Sequence, residues 1–472
     1  EGHQEVVVGS HNSLNVWKDD GTAFPGFPIA TGLDYDIWDM TTSAVGNIDG
    51  GSTLQIVAVP VTKPRILAFR SNGTSVPGFP VSSAVVDPGI FQYYISAPTL
   101  ANLDGTGGLE IIAPLISGKV DILLWNNSPQ NLSGWPKTLD TNIQSSAAVG
   151  DIDGDSQPEI VIRQYQKIYG FNPDGSEAGG WPLARTNPSN VSPVIGGVNG
   201  DSGFDILTAE SQGSAGLVSA LDGSGNNIFQ VAVSTAIDSG SFALGDVDSD
   251  GDLEIFVGDQ TGKIYGLTSQ GTPLSGSWPV SMGGSIGGGP VIADIDGDSQ
   301  KEIIAGSADG SVYAWNADGS TALGPILLDG TPIVKSPAVA DLDGDGNVDL
   351  VVATSSGRVY SIDLPSAWNS LKADWPMFQN TPRHEGLSNL DTDNDGEPNI
   401  TDCSPANSAV HHGATEICNG IDDNCVGGID EGFDLDGDTY TSCGGDCNDF
   451  AWDIHPGATE LCNWSDDDCD GL

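Results

Sequence analysis

Basic residues are scarce in this chain: 15 Lys and Arg stand against 65 Asp and Glu, for a net charge of −50. So anionic a surface repels nucleic acid and anionic lipid and attracts cations. No run of 18 apolar residues occurs, so no stretch here reads as a membrane-spanning helix. Helical periodicity is almost absent. HExxH, GxSxG and P-loop motifs are missing, which removes the commonest sequence signs of an enzyme. Cysteine is confined to the last 70 residues, and no CxxC pair exists. Glycine (64) and proline (28) are plentiful, as many tight turns require.

The acids are clustered. DIDGDSQPEIV from Asp151 and DIDGDSQKEII from Asp294 share nine of eleven residues. Aligned on this loop, copies begin at Asn47, Asn102, Asp151, Gly197, Asp246, Asp294 and Asp341, at intervals of 55, 49, 46, 49, 48 and 47 residues. Each copy has an apolar run, the acidic loop, a β-rich run such as EIFVG, and a strand such as KIYGF or SVYAW. An NPDG-like turn and a Phe-Pro or Trp-Pro segment follow, the last being WPMF at Trp375. Four short strands repeated at this period predict an all-β fold, a β-propeller whose blades bury their faces against neighbours. The opening EGHQEVVVG aligns from loop position 5, with Glu5 equivalent to Glu159. Counting this partial copy gives eight blades, with seven as the alternative, and the chain is expected to be a piece of a longer one.

Asp151, Asp153, Asp155 and Glu159 put carboxylates at loop positions 1, 3, 5 and 9, and Gln157 at position 7 offers a main-chain carbonyl. Hard oxygens converging from alternate residues of a Gly-containing loop suit Ca²⁺, which takes six to eight oxygen ligands, better than octahedral Mg²⁺. A plain Asp-Gly turn is the bland alternative, but the pattern recurs. The other full sets are Asp246, Asp248, Asp250, Asp252 and Glu254; Asp294, Asp296, Asp298, Gln300 and Glu302; and Asp341, Asp343, Asp345, Asn347 and Asp349. Asn102, Asp104, Thr106 and Glu110 form a weaker set, and Asn199, Asp201 and Asp205 remain of another. The Asn47 copy has Gly51 and Gln55 where acids belong and is expected to hold no ion. GDSG at Gly200–Gly203 looks like a serine-protease motif, but it lies inside a decayed loop and lacks partner motifs.

These residues resemble the FG-GAP or VCBS repeat, the blade unit of integrin α-subunit propellers and of many bacterial surface proteins; DLDGDGNVDLVVA is specific for it. The resemblance covers residues 1–386 and implies Ca²⁺ between the first two strands of a blade. WPMFQNTPRHEG resembles the segment that often closes such propellers.

After Arg383 there is no Lys or Arg, and the last 89 residues carry 22 acids and all seven cysteines. Residues 387–472 therefore read as a separate Asp- and Cys-rich region. DTDNDGEPNITDC resembles the thrombospondin type 3 calcium repeat, which implies Asp391, Asp393, Asp395, Glu397 and Asp402 as ligands. DLDGDTYTSCGGD offers Asp434, Asp436, Asp438, the Tyr440 carbonyl and Asp446. Two further units, from Asp402 and Asp446, resemble the MopE-type metal-binding repeat. His411, His455 and Trp452 are its copper candidates, but with one aligned His per unit the histidines read as structural. Cysteines recur as Cys403, Cys418, Cys425 and Cys447, Cys462, Cys469, with Cys443 alone. The expected bridges are Cys403–Cys418, Cys425–Cys443 and Cys447–Cys462, leaving Cys469 as a free thiol. Thiolate zinc is the rival, disfavoured by hard neighbouring ligands.

The chain thus reads as an extracellular calcium-binding structural or adhesion protein. Its expected partner is an extracellular protein or polysaccharide, or further copies of itself in a fibre. A calcium-dependent polysaccharide lyase and a MopE-type copper-binding surface protein are the alternatives. The lyase needs clustered Arg or Lys, which 15 bases make hard to supply.

Overall fold

A computed structural model describes residues 4–10, 13–30, 42–60, 65–82, 96–125, 127–140, 143–155, 157–198, 204–237 and 240–388; beyond these it describes 407–411, 414–417, 419, 421, 423–424, 440, 446–448, 450–461 and 465–471. The chain separates into two compact units, Glu1–Ser388 and Asn389–Leu472. The first is an eight-bladed β-propeller of antiparallel sheets. Among the described residues the only helical element is the short 3-10 turn Ser370–Lys372.

The fourth blade shows the plan: Ala148–Gly150 innermost, then Glu159–Gln164, Lys167–Phe171 and Leu183–Ala184, hydrogen-bonded in that order. Second strands such as Glu254–Gly258 and Glu302–Gly306 are buried at every position, because neighbouring blades cover both faces. The first sheet has three described strands, Val6–Gly9, Ser13–Trp17 and Ile29–Ala30. The eighth also has three, Ala338–Ala340, Asn347–Ala353 and Val359–Ala367. The Gln4 amide donates to the Leu342 carbonyl at 2.9 Å and joins the first blade to the eighth.

Trp-Pro segments latch the third, fourth and sixth blades to the blade that follows. The indole N–H of Trp135 donates to Pro173 O (2.9 Å), that of Trp181 to Gly223 O (2.9 Å) and that of Trp278 to Ala317 O (2.8 Å), each acceptor lying in the following blade's turn. Gly134 has φ +85°, and a Cβ there would lie 1.8 Å from the Asp174 carbonyl oxygen, so only glycine permits this approach. The glycine of KIYGF is explained by the same ring: a Cβ on Gly170 would meet Trp181 at 2.9 Å. The fifth blade lacks Trp-Pro and instead carries a long outer strand, Asn227–Val233.

WPMF is not the last of these latches. Trp375 is fully buried and exchanges backbone hydrogen bonds with Ile292 on the innermost strand of the seventh blade (2.9 and 3.2 Å). The reading of WPMF as an outer segment is therefore corrected, while its likeness to a closing segment stands. Residues 372–388 form a strap along the inner strands. Val45 donates to Pro382 O, Leu100 to Arg383 O, Val149 to Glu385 O, Ile195 to Gly386 O, Asp294 to Lys372 O and Val339 to Pro376 O, all at 2.7–2.9 Å. The sixth blade joins through a side chain, Asp246 N–H donating to Asp374 Oδ2 at 3.0 Å; Lys301 also donates to that oxygen at 2.7 Å. Seven of the eight blades thus contact one segment. An inner strand has neighbours on one side only, and the strap supplies the missing partners for its backbone groups.

Trp375→Ala should destabilise the propeller by about 3–5 kcal/mol, the usual cost of emptying a fully buried Trp site. Denaturant unfolding of the variant in calcium measures this; a midpoint like that of the parent would contradict the central role of the strap.

Candidate metal sites

The residue at loop position 9 does the same thing in every described blade that has the loop. Its side-chain oxygen accepts the buried backbone N–H of position 2. The pairs are Ile152–Glu159 (2.9 Å), Val247–Glu254 (3.1 Å), Ile295–Glu302 (2.9 Å), Leu342–Asp349 (2.9 Å), Leu103–Glu110 (2.7 Å), Val198–Asp205 (2.8 Å) and Ile48–Gln55 (2.8 Å). The first-strand register turns the position-2 amide into the blade, where no strand partner reaches it.

That arrangement buries an acid. Glu159 and Glu302 are both 0% exposed, and their Oε1 atoms have no hydrogen-bond partner; the same holds for Asp341 Oδ1. Burial raises Glu110 and Glu159 to about 7 and Glu254 and Glu302 to about 8. Burial, helped by the adjacent position-5 carboxylate, also raises Asp153 and Asp248. Three groups bring one carboxylate oxygen from each member within 4.8 Å of the others: Asp151, Asp153 and Glu159; Asp294, Asp296 and Glu302; Asp341, Asp343 and Asp349. Asp246, Asp248 and Asp250 form a fourth such group.

The remaining loop positions set the turn. Position-5 carboxylates accept the position-7 amides: Asp155 from Gln157 (2.8 Å), Asp250 from Asp252 (3.0 Å), Asp298 from Gln300 (2.8 Å) and Asp345 from Asn347 (2.7 Å). Asp151 Oδ1 accepts from Gly154 (2.7 Å), and Asp294 Oδ1 from Gly297 (2.7 Å). The loop backbone is thereby wrapped around its own carboxylates. Converging hard oxygens, one of them buried without a partner, fit a divalent cation. Asp151, Asp153 and Glu159 and their counterparts are the residues that would hold it.

The second blade solves the same problem differently. Gln55 Oε1 accepts from Ile48, while its Nε2 donates to Asp49 Oδ1 (3.1 Å) and Thr53 O (2.7 Å). Asn47 Nδ2 donates to Gly51 O at 2.6 Å. Two amide groups make the contacts that carboxylates leave to an ion. Asp49 was not among the sequence candidates. In the third blade, Asp104 Oδ1 accepts from Thr106 N–H at 2.9 Å and Glu110 keeps its structural bond. Asp205 is described in the fifth; Asn199 and Asp201 lie outside the described residues, as do Asp391, Asp393, Asp395, Glu397, Asp402, Asp434, Asp436 and Asp438.

In the second unit the two aligned repeats share one hydrogen-bond scheme. Glu416 accepts from Asp423 N–H and Glu460 from Asp467 N–H, each at 3.0 Å. Asp423 accepts from Ile417 (3.1 Å) and Asp467 from Leu461 (2.9 Å). The amides of His411 and His455 donate to the carbonyls of Asp423 and Asp467. Tyr440 stacks on His455 with ring centroids 4.6 Å apart, and Trp452 is exposed. Asp446 is buried, with Oδ2 lacking a partner.

Cys447 is bonded to Cys469, not to Cys462, and Cys469 is therefore not a free thiol. The physical reason is the return of the chain: bonds of Glu460 and His455 to Asp467 fold it back and bring the two Cα atoms to 5.6 Å. Cys403, Cys418, Cys425, Cys443 and Cys462 lie outside the described residues. A further D-x-D-x-D-G run, Asp466, Asp468, Asp470 and Gly471, escaped the sequence reading, although its spacing was legible. Asp466 accepts from Asp470 and Gly471, as Asp246 does from Asp250 and Gly251.

Residues 294–352 match the FG-GAP-like repeat, and residues 402–431 and 446–472 match the MopE metal-binding motif. The chain is thus an eight-bladed propeller carrying an FG-GAP-like repeat, followed by MopE-type motifs. Similar solved structures include Saccharomyces cerevisiae Sqt1, with 11% identity over 77% of this chain and 93% of that one, at a TM-score of 0.56. BamB from Moraxella catarrhalis matches at 14% over 76% and 96%, with a TM-score of 0.47. The V. cholerae biofilm matrix protein Bap1 matches at 15% over 79% and 86%, with a TM-score of 0.42. Likeness to Sqt1 at this identity shows the fold alone. No curated protein matches the chain.

The raised glutamates make stability depend on pH. In chelator, the unfolded chain ionises these groups near pH 4.5 and the folded chain only near 7–8, so raising pH through that window destabilises the fold. His384 in the strap acts oppositely: burial lowers it to about 4, so stability falls as pH drops below about 6.5. Melts in EDTA should therefore rise as pH falls from about 8.5 and keep rising to about 4.5, because four glutamates outweigh one histidine; only below that should the His384 limb turn the profile over. With excess divalent cation the first limb should vanish; a limb that persists would argue against cation binding at Glu159 and its equivalents. For the second unit, mass mapping of non-reduced peptides should find Cys447 joined to Cys469; recovery of Cys447–Cys462 would refute the described geometry.

Proposed function

We propose that this protein is an extracellular scaffold whose blades are held by Ca²⁺, and that it works by binding or assembly rather than by catalysis. The observation that carries this reading is the buried carboxylate oxygen without a partner in complete loops, beside two or three further carboxylates. Leaving such an atom unsatisfied costs about 1–3 kcal/mol, more when it is charged. A cation of the right hardness removes the cost, and of the common divalent ions Ca²⁺ best suits a flexible loop of many oxygens.

Extracellular Ca²⁺ modules bind at roughly 10⁻⁴–10⁻³ M, so such loops fill where calcium is millimolar. The disulfide and the acidic surface support the same location. Among the described residues no helix is long and apolar enough to cross a membrane. The propeller offers rigid blade edges and turns to a protein, a polysaccharide or another copy of the chain.

At ten times its Kd, calcium should add about 1.4 kcal/mol per occupied loop. Thermal melts of the full chain in EDTA and in millimolar calcium should therefore differ by many degrees, and identical melts would defeat the reading. Asp296→Ala should shrink the calcium-induced shift and lower the bound-calcium count by about one, since it empties one complete loop. Gly51→Ala, in the amide-satisfied loop, should change neither.

A further inference from the structure

Two of the chain's 15 basic residues converge on one buried carboxylate, Glu210. Arg163, on the Glu159–Gln164 strand of the fourth blade, is 1% exposed. Its Nη2 donates to the Asn187 carbonyl at 3.1 Å, and Nη1 lies 3.8 Å from Glu210 Oε1. Nε and Nη1 have no hydrogen-bond partner. Arg185 donates through Nε to the same Glu210 oxygen and through Nη2 to Ser219 Oγ at 3.2 Å. Among the described residues its Nη1 makes no hydrogen bond. Two guanidinium groups thus face one carboxylate, a local excess of one positive charge in a molecule of net −50. Holding a buried Arg with unpaired donors is costly, and burial lowers its pKa to about 10.

A groove of about 320 Å³ opens directly over this cluster, between the fourth and fifth blades. Arg185 and Glu210 form its floor. Asn187, Gln212, Asn227 and Gln230 line it with side-chain amides. Gln230 donates to Ser219 Oγ at 3.2 Å, while the side chains of the other three make no hydrogen bond among the described residues. Amides pair a donor with an acceptor and so match the vicinal hydroxyls of a sugar. A guanidinium fork matches a carboxylate in a bidentate manner. The volume suits a small ligand or one unit of a longer chain.

We propose that this groove binds a uronic-acid-containing polysaccharide, with the uronate carboxylate on Arg185 and the ring hydroxyls on the surrounding amides. An acidic peptide offers carboxylates but no vicinal ring hydroxyls, and the amide lining favours the saccharide. The site rests on the reading of the propeller as an extracellular binding scaffold. It names the ligand class that such a scaffold takes.

The test is calorimetric titration of the full chain, with calcium held at a saturating level, using tetragalacturonate, an uncharged galactose tetramer and poly-glutamate. Saturable binding of the uronate is expected, with about tenfold weaker binding of the neutral tetramer, as loss of one charge-assisted contact implies. Arg185→Gln should weaken uronate binding by a similar factor. Asn227→Trp, a change at an exposed rim position that blocks the groove, should abolish it while leaving the calcium-induced melting shift intact; this variant decides the matter if Arg185→Gln fails to fold. Unchanged affinity in Asn227→Trp, equal binding of poly-glutamate, or no uronate binding by a calcium-responsive protein would overturn the proposal. Arg185-dependent binding in a chain whose melts ignore calcium would support the groove and defeat the calcium reading instead.

Discussion

Seven buried amide hydrogens, each just past the first strand of its blade, require an acceptor that no strand provides. Loop position 9 provides it each time. This requirement explains what the repeats keep and what they lose. The Asn102 copy has lost carboxylates at positions 1 and 5 yet keeps Glu110, and the second blade replaces the acid by Gln55, which still accepts. The backbone bond is common to all seven turns; a cluster fit for a cation arises where an acid makes that bond beside further acids. A carboxylate in so dry a place stays ionised only beside a positive charge, and the alternate Asp residues are placed to hold one. Gln55 shows the other solution, a neutral amide whose own N–H groups bind the loop oxygens.

The blade architecture was legible because most blades repeat one alternation of strand, acidic turn and strand, several of them closing on Phe-Pro or Trp-Pro. Period and turn chemistry, with the partial first copy counted, pointed to eight blades with seven as the alternative, and the structure has eight sheets. The spacing also picked out Asp151, Asp153 and Glu159, of which one carboxylate oxygen each lies within 4.8 Å of the others. The division of labour within the loop was not legible: Glu159 as acceptor and Asp155 as turn cap depend on which side of the strand each residue faces. Trp375 was misplaced because Trp-Pro at the axis and Trp-Pro at the rim are the same letters; only the distance to Ile292 separates them. Cys447 was assigned the wrong partner because equal spacing in two repeats says nothing about which way the chain turns after Glu460. The groove at Arg185 could not be read, since its walls come from strands of two blades.

Cohesion in the propeller runs in two directions. Around the ring, each latch ties a blade to the turn of the next, with glycine allowing the contact and the ring of Trp filling the space above Gly170 or its equivalents. Toward the axis, the strap ties seven inner strands to one segment. Asp374 and Lys372 also touch the sixth and seventh loops, Lys372 lying 3.7 Å from Asp294, so the axial tie and the acidic loops are in contact. Disturbance at a loop can therefore reach the centre through two or three hydrogen bonds.

The strap also constrains ancestry. Propellers grow and shrink by duplication or loss of whole blades, and a blade that meets only its neighbours can be inserted without further change. Here an inserted blade would have to find its own stretch of residues 372–388, which are already spoken for by seven inner strands in a fixed angular order. Gaining a blade would thus demand a second, coordinated lengthening of a segment far away in the gene. The loops and rims of this fold are free to diverge one at a time, while the number of its blades is held by a single stretch of seventeen residues.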